Sequence, residues 1–349
     1  MSRGGAERVS LALAQYISSK GIEVVLLTST VASIEYDVPS SLQRIVLDKE
    51  VKSSNKVMRL PQLINAMRRT IKENKIDTVL IMGVPLCLFA IPGCKRTGAK
   101  VVVSERNDPT HFEGKKIVQK LSRWFMKRAD GYVFQTRDAQ SFYRGMFNTD
   151  GVVIPNPLLV ENLPVTFDGE RKKTIVSAGR FIPQKNQKLL IESFNEIKAA
   201  IPDYKLVLYG DGALRKVFEE FISTHNLQGR VEMPGNVADL PEKIMDAGLF
   251  VLPSNFEGMP NALIEAMAMG IPCISTDCPC GGPKDLIHNG ENGILVSVAD
   301  KEEMKSAIKT VLTNKDMAYR LGKQACNIRK ELSMPVVGDM WMNYLAKTS

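Results

Sequence analysis

Short apolar, β-branched runs alternate with amphipathic stretches along almost the whole chain, and this alternation narrows the fold more than any other feature. In the first half, residues 22–28, 44–48, 78–83, 100–105, 131–136 and 152–155 read as strands. Residues 7–19, 60–73, 114–128 and 136–147 carry helical periodicity between them. The second half repeats the pattern, with strands at 174–179, 205–210, 230–234, 249–253, 272–276 and 293–296. Its helices fall at 186–199, 213–225, 239–246, 261–269, 301–313 and 317–332, with a last one from about 335 to 346. Strictly alternating strands and helices build parallel sheets covered on both faces. The 349 residues suffice for two such α/β domains. Pro155, Pro157 and Pro164 bracket a stretch without helical pattern, read as the linker. The expected architecture is therefore two doubly wound, Rossmann-like domains at 1–160 and 161–334, with a terminal helix at 335–349 packing back on the first. In such sheets ligands bind in the cleft at the carboxyl ends of the strands.

The start of the chain departs from this plan. Gly4-Gly5 reads as the turn into the first helix, yet only three residues precede it, where a doubly wound half places an apolar strand. The N-terminal domain is thus expected to lack its first strand. Met1 is expected to be an internal start, with the natural protein beginning about 10 residues earlier, a strand's worth. An in-frame stop codon directly upstream of Met1 would exclude this.

Composition closes several alternatives. A hydrophobic fraction of 44% is ample for burial, which excludes a chain disordered throughout. No apolar run approaches the roughly 20 residues of a membrane span. The opening Met1-Ser-Arg-Gly-Gly-Ala-Glu7 is unlike a signal peptide. Six cysteines lack zinc-site spacing and read as reduced, mostly buried thiols of a cytoplasmic protein. The net charge of +8 is lopsided: 24 Lys and Arg against 15 Asp and Glu through residue 165, then 22 against 23. The first half therefore faces something anionic, with nucleic acid, a phosphorylated substrate and an anionic membrane as the candidates.

Two segments carry the sharpest chemistry. In Pro253-Ser-Asn-Phe-Glu-Gly-Met-Pro-Asn-Ala-Leu-Ile-Glu-Ala-Met-Ala-Met-Gly270 a strand is followed by a loop and then a helix. Pro260 suits the first helical turn and Gly270 the position just past the helix end. The N-terminus of that helix is an anion site, and Glu257 and Glu265 put two carboxylates beside it. Phosphate and hydroxyls on one ligand would satisfy both features. In Ile175-Val-Ser-Ala-Gly-Arg-Phe-Ile-Pro-Gln-Lys-Asn186 a strand ends at Gly179-Arg180, with Lys185 five residues on. A guanidinium fork and a mobile ammonium at one strand tip suit a diphosphate.

Together these segments resemble the retaining glycosyltransferases of family 4, which have the GT-B fold. Glu257 and Glu265 match the family's Glu-x7-Glu motif, and Gly179-Arg180 with Lys185 match its phosphate-binding cations. Gly210-Asp-Gly-Ala-Leu-Arg215, Pro234-Gly-Asn-Val-Ala-Asp239, Gly4-Gly5-Ala-Glu-Arg8 and Val153-Ile-Pro-Asn-Pro157 are similar to family segments too. The resemblance implies a nucleotide diphosphate sugar as donor. Arg180 and Lys185 would hold its diphosphate, with Gly179 beneath them. Glu265 would accept from ribose hydroxyls and Glu257 from hydroxyls of the sugar. Backbone groups of Gly258, Met259, Pro260 and Asn261 would position sugar and phosphate. Gly235, Asn236 and Val237 would contact the base, and Gly4 and Gly5 would let the first helix approach the donor. Arg180, Lys185 and Glu257 are accordingly the expected catalytic set, with Glu257 assigned no nucleophilic role. No cofactor and no metal is expected, since no Asp-x-Asp motif accompanies the site.

Ser104-Glu-Arg-Asn-Asp-Pro-Thr-His111 follows a strand of the first half. Arg106, Asp108 and His111 are the candidates there for acceptor or sugar contact, though Asp108 could equally cap the next helix. Along residues 114–128, Lys116, Lys120, Arg123 and Lys127 follow helical spacing, with Ile117, Leu121, Trp124 and Phe125 on another face. Such a helix can lie on an anionic membrane; the plainer reading packs its apolar face on the sheet. Arg68, Arg69, Lys72 and Lys75 add a second basic cluster. The expected protein is a cytoplasmic glycosyltransferase. It would act on a lipid-linked or oligosaccharide acceptor in cell-surface polysaccharide biosynthesis, in peripheral contact with the anionic inner membrane. One alternative is a non-catalytic nucleotide-sugar-binding subunit of the same fold. Nucleic acid is not expected as a partner, because no aromatic-basic interleaving supports it.

Overall fold

The computed structural model describes residues 5–30, 36–51, 56–111, 114–147 and 149–348. The chain forms two compact units, one of Met1–Pro157 together with Met334–Ser349 and one of Leu158–Ser333. Gly4 and the reading of Met1 as an internal start lie outside the described residues.

The first unit contains strands β1 (Val25–Thr28), β2 (Gln43–Val46), β3 (Thr78–Met82), β4 (Lys100–Glu105), β5 (Gly131–Phe134) and β6 (Val152–Val153). They form two parallel sheets, β1-β2 and β3-β4-β5-β6. Val101, Val102 and Val103 of β4 and all of β5 are buried, the mark of inner parallel strands. The terminal helix Met334–Thr348 belongs to this unit. Its Val337 and Trp341 are fully buried, Tyr16 Oη donates to Asp339 Oδ1 at 2.7 Å, and Tyr344 Oη accepts from Tyr132 N at 2.9 Å.

The second unit carries β7 (Lys172–Ala178), β8 (Lys205–Tyr209), β9 (Val231–Gly235), β10 (Ala247–Leu252), β11 (Cys273–Thr276) and β12 (Ile294–Val296). They make one parallel sheet in the order β12-β11-β10-β7-β8-β9. Its core runs through Ile175, Leu190, Phe194, Leu206, Phe218, Leu249 and Ile274. The strand order reverses between β7 and β10, so the two strands that start the two windings lie side by side. Loops leaving such a pair diverge to opposite faces of the sheet and open a crevice between them.

Several boundaries differ from the sequence expectation. Helix Cys87–Cys94 was not expected, because Cys-Leu-Phe-Ala-Ile-Pro-Gly-Cys is apolar all round and carries no periodic signal. The single helix expected at 317–332 is two, Lys315–Ala325 and Ile328–Glu331. The start of the expected linker is not solvated: Asn156 is buried and its Oδ1 accepts from Arg106.

Candidate functional site

The carboxyl ends of β7 and β10 carry the two segments singled out above. After β7 the chain turns through Gly179-Arg180 and reaches Lys185 before helix Gln187–Ile197. Gly179 has φ +156°, a backbone conformation that favours glycine, and the Lys185 stem packs beside it. Gln187 is buried, and its Nε2 donates to the carbonyls of Gly179 (3.3 Å) and Arg180 (3.0 Å), which fixes this turn. The Arg180 side chain is left exposed at the edge.

After β10, residues Ser254–Pro260 lead into helix Asn261–Ala268. Pro260 stands one residue earlier than expected: it is the capping residue (φ −81°, ψ 99°), and the helix begins at Asn261. The two loops are sewn together. Asn255 N donates to Gln184 O (2.8 Å), Asn255 Nδ2 to Pro183 O (2.8 Å), Asn186 Nδ2 to Asn255 Oδ1 (3.0 Å) and Gln184 Nε2 to Phe256 O (3.1 Å).

This stitching brings Lys185 to Glu257. Lys185 Nζ lies 2.6 Å from Glu257 Oε1, with the lysine side chain 20% and the glutamate side chain 6% exposed. Ser254 Oγ donates to the same Oε1 at 2.6 Å. Glu257 N donates to Pro279 O and Cys280 N to Glu257 O, so the loop after β11 clamps the glutamate backbone. That loop sits against Gly258: a β-carbon on Gly282 would fall 1.6 Å from Gly258 O, a distance no side chain tolerates. Glu265 is buried in the second turn of helix Asn261–Ala268. Gly258 and Asn261 are half-buried at the entrance to this helix, and Met259 and Pro260 are buried.

Gly235 closes β9, two strands from β7, and Gly210 N donates to its carbonyl at 2.9 Å. Asn236 is exposed beyond it and Val237 half-buried. All of these second-unit candidates therefore share the carboxyl edge of one sheet. There Lys185 is paired with Glu257, Arg180 stands exposed at the tip of β7, and Glu265 is buried in the helix that follows β10.

The first-unit candidates are described separately. Gly5 opens helix Gly5–Ser19. Arg106 is buried, and its guanidinium donates to Asn156 Oδ1 and Ser104 Oγ; burial lowers its pKa to about 10. Asp108 is also buried. It accepts from Thr110 N (2.8 Å) and Thr110 Oγ1 (2.7 Å), and its Oδ2 lies 2.7 Å from His111 Nδ1. It thus folds its own loop rather than capping the next helix, which starts at Lys116. The His111 side chain is 49% exposed.

Sequence reasoning passed over Glu105, Gln187 and Ser254. Glu105 is buried, and burial holds its carboxyl above the usual carboxylate range, although Tyr143 Oη (2.8 Å), Arg106 N and Asn107 N donate to it. It stands at the last position of an apolar strand, a place that a solvated carboxylate takes as readily. Gln187 and Ser254 are short polar groups beside recognised residues and carry no spacing signal of their own.

Helix Lys116–Met126 contradicts the plainer sequence reading. Ser122 and Met126 face inward, while Ile117, Leu121 and Trp124 are 59%, 42% and 52% exposed. Arg123 does not join the basic face: it donates to Pro109 O and its guanidinium carbon lies 5.1 Å from the Phe142 ring centre. Lys116, Lys120 and Lys127 are exposed, and Arg128 stacks over Trp124 at 3.5 Å. Among the described residues no helix is long and apolar enough to cross a membrane.

Comparison with known proteins gives the family and the fold. A family model described as Glycosyl transferases group 1 matches residues 162–327, and one described as Glycosyltransferase Family 4 matches residues 3–161. An uncharacterized glycosyltransferase from Haemophilus influenzae is 22% identical over 99% of this chain and 97% of its own length. The lipopolysaccharide 1,6-galactosyltransferase of Escherichia coli is 28% identical over 70% of this chain and 67% of its own. Anabaena HepE in complex with UDP-glucose superposes with a TM-score of 0.83 at 17% identity, covering 99% of this chain and 97% of HepE. The lipopolysaccharide outer core galactosyltransferase WaaB in its apo form gives a TM-score of 0.80 at 21% identity, with coverages of 99% and 97%. With two family models that together span most of its length, this chain belongs to the family 4 type of glycosyltransferases and has their GT-B fold.

Proposed function

We propose that the enzyme moves a hexose or N-acetylhexosamine, with retention of configuration, from a UDP- or GDP-linked sugar to a lipid-linked saccharide in cell-surface polysaccharide assembly. The observation that carries this reading is the Lys185–Glu257 pair at the tip of the β7–β10 switch, flanked by Arg180 and by the N-terminus of helix Asn261–Ala268. A diphosphate entering the crevice meets the ammonium, the guanidinium and the helix end, all of the sign that stabilises a departing phosphate. Glu257, held by Ser254 and Lys185, keeps its second oxygen for a sugar hydroxyl. Glu265 is set to accept from ribose hydroxyls. No resident metal is proposed, because the two cations take the charge-stabilising role.

In the proposed reaction the bond between the anomeric carbon and the phosphate oxygen breaks. The acceptor hydroxyl oxygen bonds to that carbon on the same face, and its proton passes to the departing phosphate. The products are the glycoside and a nucleoside diphosphate. The named proteins that this chain resembles are in keeping with the reading: HepE has been seen with UDP and glucose, and other relatives are a lipopolysaccharide 1,6-galactosyltransferase and an amylovoran biosynthesis glycosyltransferase. The exposed apolar stripe and lysines of helix Lys116–Met126 support work against the cytoplasmic, anionic face of a membrane, where a lipid-linked acceptor would lie.

A thermal-shift panel of nucleoside diphosphates and nucleotide sugars tests the donor. A ligand at 100 times its Kd adds roughly 2.7 kcal/mol of stability. The donor that shifts the protein is then given with an acceptor, and the anomeric configuration of the product is read by NMR. No shift with any uridine or guanosine diphosphate, or an inverted product, would overturn the proposal.

A further inference from the structure

Lys185 and Glu257 meet beyond the reach of the sheet. The last rung between their strands sets Phe250 opposite Val176, and both residues stand in the loops that follow. A lysine ammonium rides on a flexible four-carbon stem and has no geometry of its own. Its 2.6 Å contact with a glutamate whose side chain is 6% exposed has to be set by the backbones that carry the two side chains.

The hydrogen bonds between these loops converge on one residue. Asn255 N donates to Gln184 O and Asn255 Nδ2 to Pro183 O, each at 2.8 Å, and Asn255 Oδ1 accepts from Asn186 Nδ2 at 3.0 Å. These partners lie on both sides of Lys185 in the sequence, and Asn255 itself stands just ahead of Phe256-Glu257. A primary amide donates and accepts from one rigid plane, so a single asparagine can grip a loop on either side of the residue it presents. Asn186 is its match. The Asn186 backbone is left-handed (φ 44°, ψ 37°), a conformation that asparagine adopts more readily than most residues with a β-carbon, and from there its Nδ2 reaches Asn255.

We infer that Asn255 is a positioning residue for the transfer reaction: by holding the chain on either side of Lys185, it presets the ammonium against Glu257 before a donor arrives. The inference rests on the reading of this edge as the donor site. Preorganised charge is effective because nothing has to rearrange as the phosphate departs, and a misplacement of about 1 Å can cost 10²-fold in rate. Asn255 acts through Pro183, Gln184 and Asn186, and its neutral amide brings no charge of its own to the phosphate.

The test is a set of double-mutant cycles on the ligand-free protein. Lys185→Ala, Glu257→Gln and their combination are melted in the native background and in Asn255→Ala, Asn186→Gly and Ile222→Val. Asn186→Gly drops the amide but keeps a residue at ease in left-handed backbone. Ile222→Val, a change in the buried core at helix Arg215–Thr224, is the control for plain loss of stability. The Lys185–Glu257 coupling, expressed as a ratio of unfolding constants, should fall about fivefold in Asn255→Ala, less in Asn186→Gly and not at all in Ile222→Val. With the donor identified, kcat of Asn255→Ala should fall about tenfold or more while KM for the donor stays within about threefold, and Ile222→Val should transfer at the native rate. Coupling unchanged by Asn255→Ala would overturn the inference, and so would a native kcat in that variant. The coupling is read without ligand, so a panel in which no nucleoside diphosphate shifts the melt sinks the donor reading alone, and the cycles still decide whether Asn255 sets the pair.

Discussion

Both stability and the proposed chemistry rest on the pair Lys185 and Glu257. Removing the ammonium leaves a carboxylate with a 6% exposed side chain supported by Ser254 and the loop backbone. Lys185→Ala should therefore lower stability by about 1–3 kcal/mol and kcat/KM by roughly 10²- to 10³-fold. Lys185→Ala combined with Glu257→Gln should regain most of the stability and none of the activity. Thermal melts and transfer rates of the four proteins of that cycle measure both terms; additive losses of stability would disprove the coupling. Glu105 gives a pH prediction of definite sign. Burial raises its pKa above the ordinary 4.5, so the folded chain keeps a proton that the unfolded chain has released. Folding stability must then fall as pH rises from about the unfolded value towards the folded one. Glu105→Gln should flatten that part of the curve, and melting temperatures of the two proteins across acid and neutral pH check it. Glu257 and Glu265 were legible in the sequence because a strand, a proline and an apolar helix frame them. Glu105 was not, since nothing in a sequence separates a buried carboxylate from a solvated one at a strand end.

At the scale of elements, the strands were legible to within about three residues at either end, because most buried parallel strands read as apolar runs. The helix Cys87–Cys94 escaped because its burial is all round and leaves no period to detect. Helix Lys116–Met126 shows the opposite limit. Its amphipathic pattern was plain, but a pattern does not say which face meets the protein. Packing decided that, by turning Ser122 and Met126 inward and leaving Ile117, Leu121 and Trp124 in solvent. Replacing those three by serine should reduce partition onto phosphatidylglycerol-containing vesicles roughly tenfold or more, while transfer to a soluble saccharide stays unchanged. Sedimentation with the vesicles, at low and high salt, measures it. Undiminished binding by the triple variant would remove the helix from the membrane reading.

For the whole molecule, the two units differ in how the chain builds them. The second unit is one continuous stretch, Leu158–Ser333, with its own core. Expressed alone, it should unfold cooperatively and give the same melting shift with the proposed nucleoside diphosphate as the full chain. The first unit is discontinuous and depends on Met334–Ser349. Trp341→Ala should cost it about 3–5 kcal/mol and leave the second unit's transition where it was, which calorimetry resolves as two separately moving peaks.

That discontinuity has a consequence for birth of the protein on the ribosome. Synthesis proceeds from the N-terminus, and domains ordinarily fold in that order. Here the unit begun first must wait for residues translated after the whole of the second unit: Val337 and Trp341 close its core. The second unit, Leu158–Ser333, finishes first, so the nascent enzyme should gain the site proposed for the nucleotide before its other half is sealed.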